Sequence, residues 1–240
     1  MIDQVKSPDF VADSPSAESL FDWQALATRV LAGHTLTETE ALSILQAPDN
    51  QLLDILSASY RIRRRYFGNR VQFYFLMNAK SGLCPEDCSY CSQSKVSDAE
   101  IPRYNLLNAK QLLEGAKAAA ERQAKTYCIV ISARGPSQRE MDAITTIVPQ
   151  IKSQYNLKIC ACLGLLTPEQ ADRLKACGVD RVNHNLNTSE DFYSEICSTH
   201  TYQDRVSTIE AVRGAGMELC SGGNIGMGEQ DADSVQMAFA

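Results

Sequence analysis

The 240-residue chain is 44% hydrophobic and 22% charged, a balance that supports a buried core and excludes a disordered or fibrous chain. Lys and Arg total 23 against 29 Asp and Glu, a net charge of −6; Arg61-Ile62-Arg63-Arg64-Arg65 is too short a basic run to imply a polyanion, so no nucleic acid partner is expected. No stretch approaches the ~20 apolar residues of a membrane span, and MIDQVKSPDF has neither a basic nor an apolar leader segment, so no membrane partner is expected and the chain reads as soluble and cytoplasmic.

Residues 1–17 mix Asp, Pro and Ser without periodicity and read as a mobile tail. Residues 18–68 read as an N-terminal helical extension. Its first helix carries Leu20, Phe21, Trp23, Leu26, Val30 and Leu31 at helical spacing and ends at Gly33. A capping box Thr37-x-x-Glu40 opens the second, and a third with Leu52, Leu53, Leu56, Tyr60 and Ile62 ends near Gly68. From residue 69 onward short β-rich runs alternate with helical ones. The expected strands are 71–77, 127–132, 158–163, 181–186 and 218–225, with helices near 108–123, 137–154, 168–177 and 202–214 and another opening at 231. Thr167-Pro168-Glu169-Gln170 supplies an N-cap, an N1 proline and an N3 glutamine, whereas Pro149 should kink or break its helix. Alternation at this spacing predicts an α/β fold with a parallel sheet. A (β/α)8 TIM-type barrel needs ~250 residues, so the 69–240 region is expected to be such a barrel cut after about five βα units.

Nine cysteines without a secretion signal point to metal, redox chemistry or buried thiols rather than disulfides. Three of them, Cys84, Cys88 and Cys91, form a C-x3-C-x2-C loop directly after the first strand. Structural zinc takes four ligands, usually as two pairs, so this uneven triplet suits an iron–sulfur cluster with one iron left open; a zinc knuckle completed by a distant Cys or His is the alternative. Among the others, Cys160 and Cys162 share one face of the third strand, while Cys128 and Cys220 lie on the second and fifth. Cys177 and Cys197 fall on a helix and a loop and read as structural or incidental. Asn183, Asn185 and Asn187 take alternate positions at the end of the fourth strand, with His184 directed the other way; amides there can bind an uncharged ureido ring or a ribose. Arg205 sits in the first turn of a helix, a poor place for a cation unless it serves an anion. Gly222, Gly223 and Asn224 open a glycine-rich run that lets backbone approach a flat ligand; it lacks the lysine and spacing of a phosphate loop.

The cysteine loop, with an aromatic just before its last cysteine, resembles the radical S-adenosylmethionine superfamily. The stretches AKSGLCPEDCSYCSQS, TYCIVISARGP, LKICACLGLL, VNHNLNTS and CSGGNIGMGE, together with Thr201-Tyr202-Gln203-Asp204-Arg205, narrow the resemblance to the biotin synthase family. The resemblance implies a [4Fe–4S] cluster on Cys84, Cys88 and Cys91 and a [2Fe–2S] cluster on Cys128, Cys160 and Cys220, with Cys162 a neighbour without a role. It also implies S-adenosylmethionine beside Tyr90, Asn187, Arg205, Gly222, Gly223 and Asn224, and dethiobiotin at Asn183 and Asn185. Many relatives carry Asp at Asn187 and an aliphatic residue at Asn224, and a late-strand arginine completes the family's second cluster. The activity implied is sulfur insertion into dethiobiotin, in a homodimer reduced by a donor such as flavodoxin or ferredoxin. The alternatives are a single-cluster radical mutase and an inactive metal-binding fragment.

Overall fold

The computed structural model describes residues 21–240; the tail expected over 1–17 lies outside the described residues. The described residues divide into two compact units, one comprising 21–36 and 47–69, the other 37–46 and 70–240.

In the first unit, α1 (Trp23–Leu31) packs on α3 (Leu52–Phe67), which follows a short 3-10 turn at Asp49–Gln51. Asp22 caps α1 by accepting from the Ala25 amide, and burial of Trp23, Leu26, Ala27 and Ala58 provides the apolar seam. The indole of Trp23 keeps its polar edge satisfied by donating to Gln51 Oε1 at 2.7 Å.

The second unit begins with α2 (Glu38–Leu45), opened by the Thr37/Glu40 capping box. Its body is a five-stranded parallel sheet: β1 (Tyr74–Lys80), β2 (Thr126–Ile131), β3 (Lys158–Cys162), β4 (Arg181–Asn183) and β5 (Glu218–Cys220). The strands pair in the order of the chain. Between them run α4 (Ala109–Glu121), α5 (Gln138–Gln154), α6 (Pro168–Cys177), the short α7 (Tyr193–Ile196) and α8 (Tyr202–Gly214), and α9 (Asp231–Phe239) follows β5. Sequential parallel order, with α4, α5 and α6 packed in one core against the sheet, is the arrangement of a βα barrel; a doubly wound sheet would have to reverse its order.

Strand alternation sorts the side chains accordingly. Tyr127, Ile129 and Ile131 of β2, Ile159 and Ala161 of β3 and Val182 of β4 join one core with Leu112 and Ala116 of α4, Met141, Ile144, Ile147 and Ile151 of α5 and Leu174 of α6. The residues between them, including Cys128, Cys160, Cys162, Asn183 and Cys220, belong to the opposite, inner face.

Some elements depart from the sequence pattern. β1 starts at Tyr74 because its first register partner is Thr126; Val71 and Phe73 stay outside the ladder and exposed. The helix expected to kink or break at Pro149 runs through it without interruption. Proline removes one backbone donor there, and the buried row Met141, Ile144, Ile147, Val148 and Ile151 holds the segment helical on both sides. β4 ends at Asn183 rather than Leu186. Asn187 has a left-handed φ of 74°, and pairing resumes only at its isolated bridge to Gly223.

Candidate active site

The loop after β1 carries Cys84, Cys88 and Cys91 across the carboxyl end of the sheet, where βα folds collect their functional groups. Gln93 ties its start by accepting from Gly82 N at 2.6 Å, and the Ser89 amide donates to Ile196 O at 2.9 Å. Gly82 has φ 70°, and a Cβ there would lie 2.5 Å from Arg103 Cγ, so only glycine makes this turn without strain. The three thiols line one cavity of about 280 Å³ with Tyr90, Cys162, Asn183, Asn185, Asn187 and Arg205. Burial pushes the Cys84 thiol up, and burial together with Cys197 pushes Cys88 up to about 12. Such thiols stay protonated at neutral pH until a metal centre displaces the proton.

Arg205 projects into the cavity from α8. Its Nη1 donates to Asn185 O at 2.9 Å, its Nε donates to Tyr193 Oη, and its guanidinium stands 5.8 Å from the Tyr193 ring centre. With the Asn187 amide turned so that its oxygen faces them, Asn187 also accepts from Arg205 Nη2 at 3.1 Å and from Tyr90 Oη at 2.5 Å. Asn183 and Asn185 face the cavity, and Asn183 Nδ2 donates to Cys220 O at 3.1 Å. His184, expected to point away, is among the cavity-lining residues. Its ring is buried, Nε2 has no partner among the described residues, and burial followed by the Arg205 charge lowers it to about 3, so it is neutral.

Gly222, Gly223 and Asn224 run alongside Asn187: Asn187 N donates to Gly222 O at 3.1 Å and Asn224 N to Asn187 O at 2.8 Å. A Cβ on Gly223 would meet Met237 Cε at 2.4 Å and Asn187 O at 2.9 Å, whereas one on Gly222 would meet nothing within 4 Å. The close backbone approach is therefore specific to Gly223.

Deeper on the inner face, Cys128 and Cys160 are direct register partners. The Cys128 thiol beside it, and then the Arg181 charge, lower Cys160. Cys162 lies two residues further along β3, opposite Val130, and Cys220 pairs with Asn183. These four thiols from three strands therefore share the inner face of the sheet. Cys162 is pushed up to about 12, chiefly by burial and then by Cys160.

A second polar cluster was not foreseen from the sequence. Glu86 and Asp87, inside the cysteine loop, engage the segment after α7. Asp87 Oδ1 accepts from Ser198 N at 2.9 Å and Thr199 N at 3.2 Å, while Glu86 Oε2 accepts from Thr199 Oγ1 at 2.6 Å and faces His200 Nδ1 at 2.5 Å. Hydrogen bonds from Ser198 hold Asp87 well below the usual carboxylate range. Burial pushes Glu86 up, but its bonds to Thr199 and His200 and the Arg134 charge outweigh it and keep the carboxylate ionised. The signal was the acidic pair inside C-P-E-D-C, whose partners lie over a hundred residues away.

Three thiols on one loop, facing an arginine and amides across a shared cavity, are a donor set for a cluster with one open iron beside a zwitterionic ligand. Residues 80–239 match the Radical SAM superfamily, and the chain belongs to that superfamily, whose cofactors are a [4Fe–4S] cluster and S-adenosylmethionine. It is 63% identical over 241 residues to the biotin synthase of Rhodopirellula baltica, covering 99% of this chain and 67% of that protein. To the biotin synthase of Bacillus subtilis it is 53% identical over 216 residues, covering 90% and 64%. Within the superfamily the chain belongs to the biotin synthase family. It spans about two thirds of the length of these relatives. Among solved structures, methylornithine synthase (PylB) superposes with a TM-score of 0.78 at 20% identity, over 88% of this chain and 62% of that one. The hydrogenase maturase HydG of Carboxydothermus hydrogenoformans gives 0.75 at 20% identity, over 89% and 51%. These two likenesses show the fold.

Proposed function

We propose that the chain carries out the sulfur insertion that converts dethiobiotin to biotin. The observation that carries this reading is the second set of inner-face thiols, with Cys128 and Cys160 in direct register and Cys220 on the same face of β5, paired with Asn183. Superfamily chemistry needs only the loop thiols; a radical rearrangement gives no use to a further group. In this reading Cys84, Cys88 and Cys91 hold the [4Fe–4S] cluster, and Cys128, Cys160 and Cys220 hold a [2Fe–2S] cluster. When bound, the two clusters supply the electron that cleaves S-adenosylmethionine to methionine and a 5′-deoxyadenosyl radical, and the sulfur that enters the substrate.

The protein's part is placement. Arg205, locked by Tyr193, Asn185 O and Asn187, offers a fixed cation to the cofactor carboxylate, and Asn187 offers its amide to the ribose. The backbone of Gly222, Gly223 and Asn224, bonded along Asn187, forms the side against which the adenine lies, near Tyr90. Asn183 keeps Oδ1 as an acceptor after giving Nδ2 to Cys220 O, and Asn185 keeps Nδ2 as a donor; together they match a ureido ring without adding charge. Val130, Ala133 and Leu165 line the same cavity and keep water from a carbon radical. The family resemblance of the motifs further supports a cytoplasmic homodimer reduced by a flavodoxin or ferredoxin.

The test is the Cys128→Ala chain, reconstituted anaerobically and given dethiobiotin, S-adenosylmethionine and reductant. It should form no biotin while still releasing 5′-deoxyadenosine; biotin at the wild-type level would overturn the second-cluster role.

A further inference from the structure

Cys197, just after α7, reads as incidental in the sequence, yet its Sγ lies 3.7 Å from Cys88 Sγ in a hydrogen bond between two buried residues. The pair shares a small apolar cluster with Tyr193 and Ile196, against which Cys91 packs. Its spacing is set by the backbone on both sides. Ser89 N, the neighbour of Cys88, donates to Ile196 O, the neighbour of Cys197, at 2.9 Å. On the other side Asp87 Oδ1 accepts from Ser198 N at 2.9 Å. Cys197 N is itself tied to Tyr193 O at 3.2 Å.

Two thiols can exchange the donor role, but a cysteine bound to iron is a thiolate with no proton to give. With Cys88 on iron, the bond runs only from the Cys197 S–H to Cys88 Sγ. The other acceptors near Cys197 are engaged elsewhere. Asp87 Oδ1, at 3.3 Å, already takes the amides of Ser198 and Thr199. His200 Nδ1, at 3.2 Å, carries the proton that it gives to Glu86, and Thr199 Oγ1, at 3.6 Å, donates to Glu86 as well. A donor to a ligand sulfur stabilises the reduced cluster more than the oxidised one, because reduction adds negative charge to the sulfurs, and burial strengthens the bond.

We propose that Cys197 is a positioning residue whose S–H, donated to Cys88, raises the reduction potential of the [4Fe–4S] cluster. This role rests on the loop thiols holding that cluster, the reading proposed above. Cys197 itself takes no place on the iron.

Redox titration of anaerobically reconstituted chains, followed by electron paramagnetic resonance, reads the potential directly. Cys197→Ala should load the same four-iron cluster and reduce at a lower potential. Its reduction equilibrium constant should fall about threefold to tenfold, which reads as roughly 30 to 60 mV for a one-electron couple. Cys197→Ser keeps a donor at the position and should fall between Cys197→Ala and wild type. Electron–nuclear double resonance of the reduced wild-type cluster should show a coupled proton that exchanges in deuterium oxide and is missing from Cys197→Ala. A wild-type potential in the loaded Cys197→Ala chain, or a Cys197→Ser chain shifted as far as Cys197→Ala, would overturn the role while leaving the cluster reading intact. Loss of the four-iron cluster in Cys197→Ala would also overturn it, by making Cys197 a ligand. A wild-type chain that loads no four-iron cluster would overturn the cluster reading itself, and this role with it.

Discussion

The guanidinium of Arg205 donates to the main-chain carbonyl of Asn185 at 2.9 Å, so the cation proposed for the cofactor is fixed by the same segment whose amides are proposed for the substrate. Replacing it should weaken S-adenosylmethionine binding. A charge-assisted pair to a carboxylate is worth about 1.5–3 kcal/mol, so Arg205→Ala should raise the dissociation constant of the cluster-loaded chain roughly 10- to 100-fold in equilibrium dialysis. Arg205→Lys should recover little, because a single ammonium cannot reach Tyr193, Asn185 and Asn187 together. Unchanged affinity in Arg205→Ala would remove the residue from the site.

Adjacent glycines should respond differently. Gly223→Ala places a Cβ against Met237, which can move, and Asn187 O, which is held by its backbone bond to Asn224. It should cost about 1–3 kcal/mol of stability and weaken cofactor binding with it. Gly222→Ala meets open space and should stay within about 0.5 kcal/mol of wild type. Thermal unfolding of the two variants decides, and equal effects would contradict the close approach assigned to Gly223.

The Lys80–Glu140 pair sets part of the acid stability. The groups are 2.9 Å apart with side chains 16% and 13% exposed. Burial pushes the Glu140 carboxyl up, but hydrogen bonds from Lys80 and Ser137 outweigh it, so its folded value lies below the ordinary 4.5. A depressed carboxylate contributes stability that is fully present above about pH 4.5 and is lost as pH falls through the folded value. Glu140→Gln should therefore destabilise the chain at pH 7, by about 2 kcal/mol given the pair's partial burial. The difference from wild type should shrink between about pH 5 and pH 3. Urea midpoints across that range check it; a difference that grows on acidification would contradict the sign.

What the sequence made legible was local or periodic. The Thr37/Glu40 and Thr167/Gln170 boxes form as read, because a capping box is complete within four residues. Period-two alternation put Cys160 and Cys162 on one face, since Ile159 and Ala161, which alternate with them, face the helices. The left-handed turn at Asn187 was hidden, because asparagine fits strand and turn alike. So was the contact of Tyr193 with Arg205, made from a four-residue helix too short to leave a pattern. The Glu86, Cys197 and His200 cluster joins segments 114 residues apart; tertiary folding creates it, and no local spacing encodes it.

The claim that two separate thiol groups hold two clusters is tested most directly by counting iron and acid-labile sulfide in anaerobically reconstituted chains, with Mössbauer spectra to distinguish cluster types. The wild-type chain should hold about six of each, Cys84→Ala about two in [2Fe–2S] form, and Cys160→Ala about four in [4Fe–4S] form. Cys162→Ala should keep about six, losing only packing of about 1 kcal/mol or less. A wild-type chain that holds only about four iron atoms, or a Cys160→Ala chain that keeps the full wild-type count, would contradict the two-cluster account.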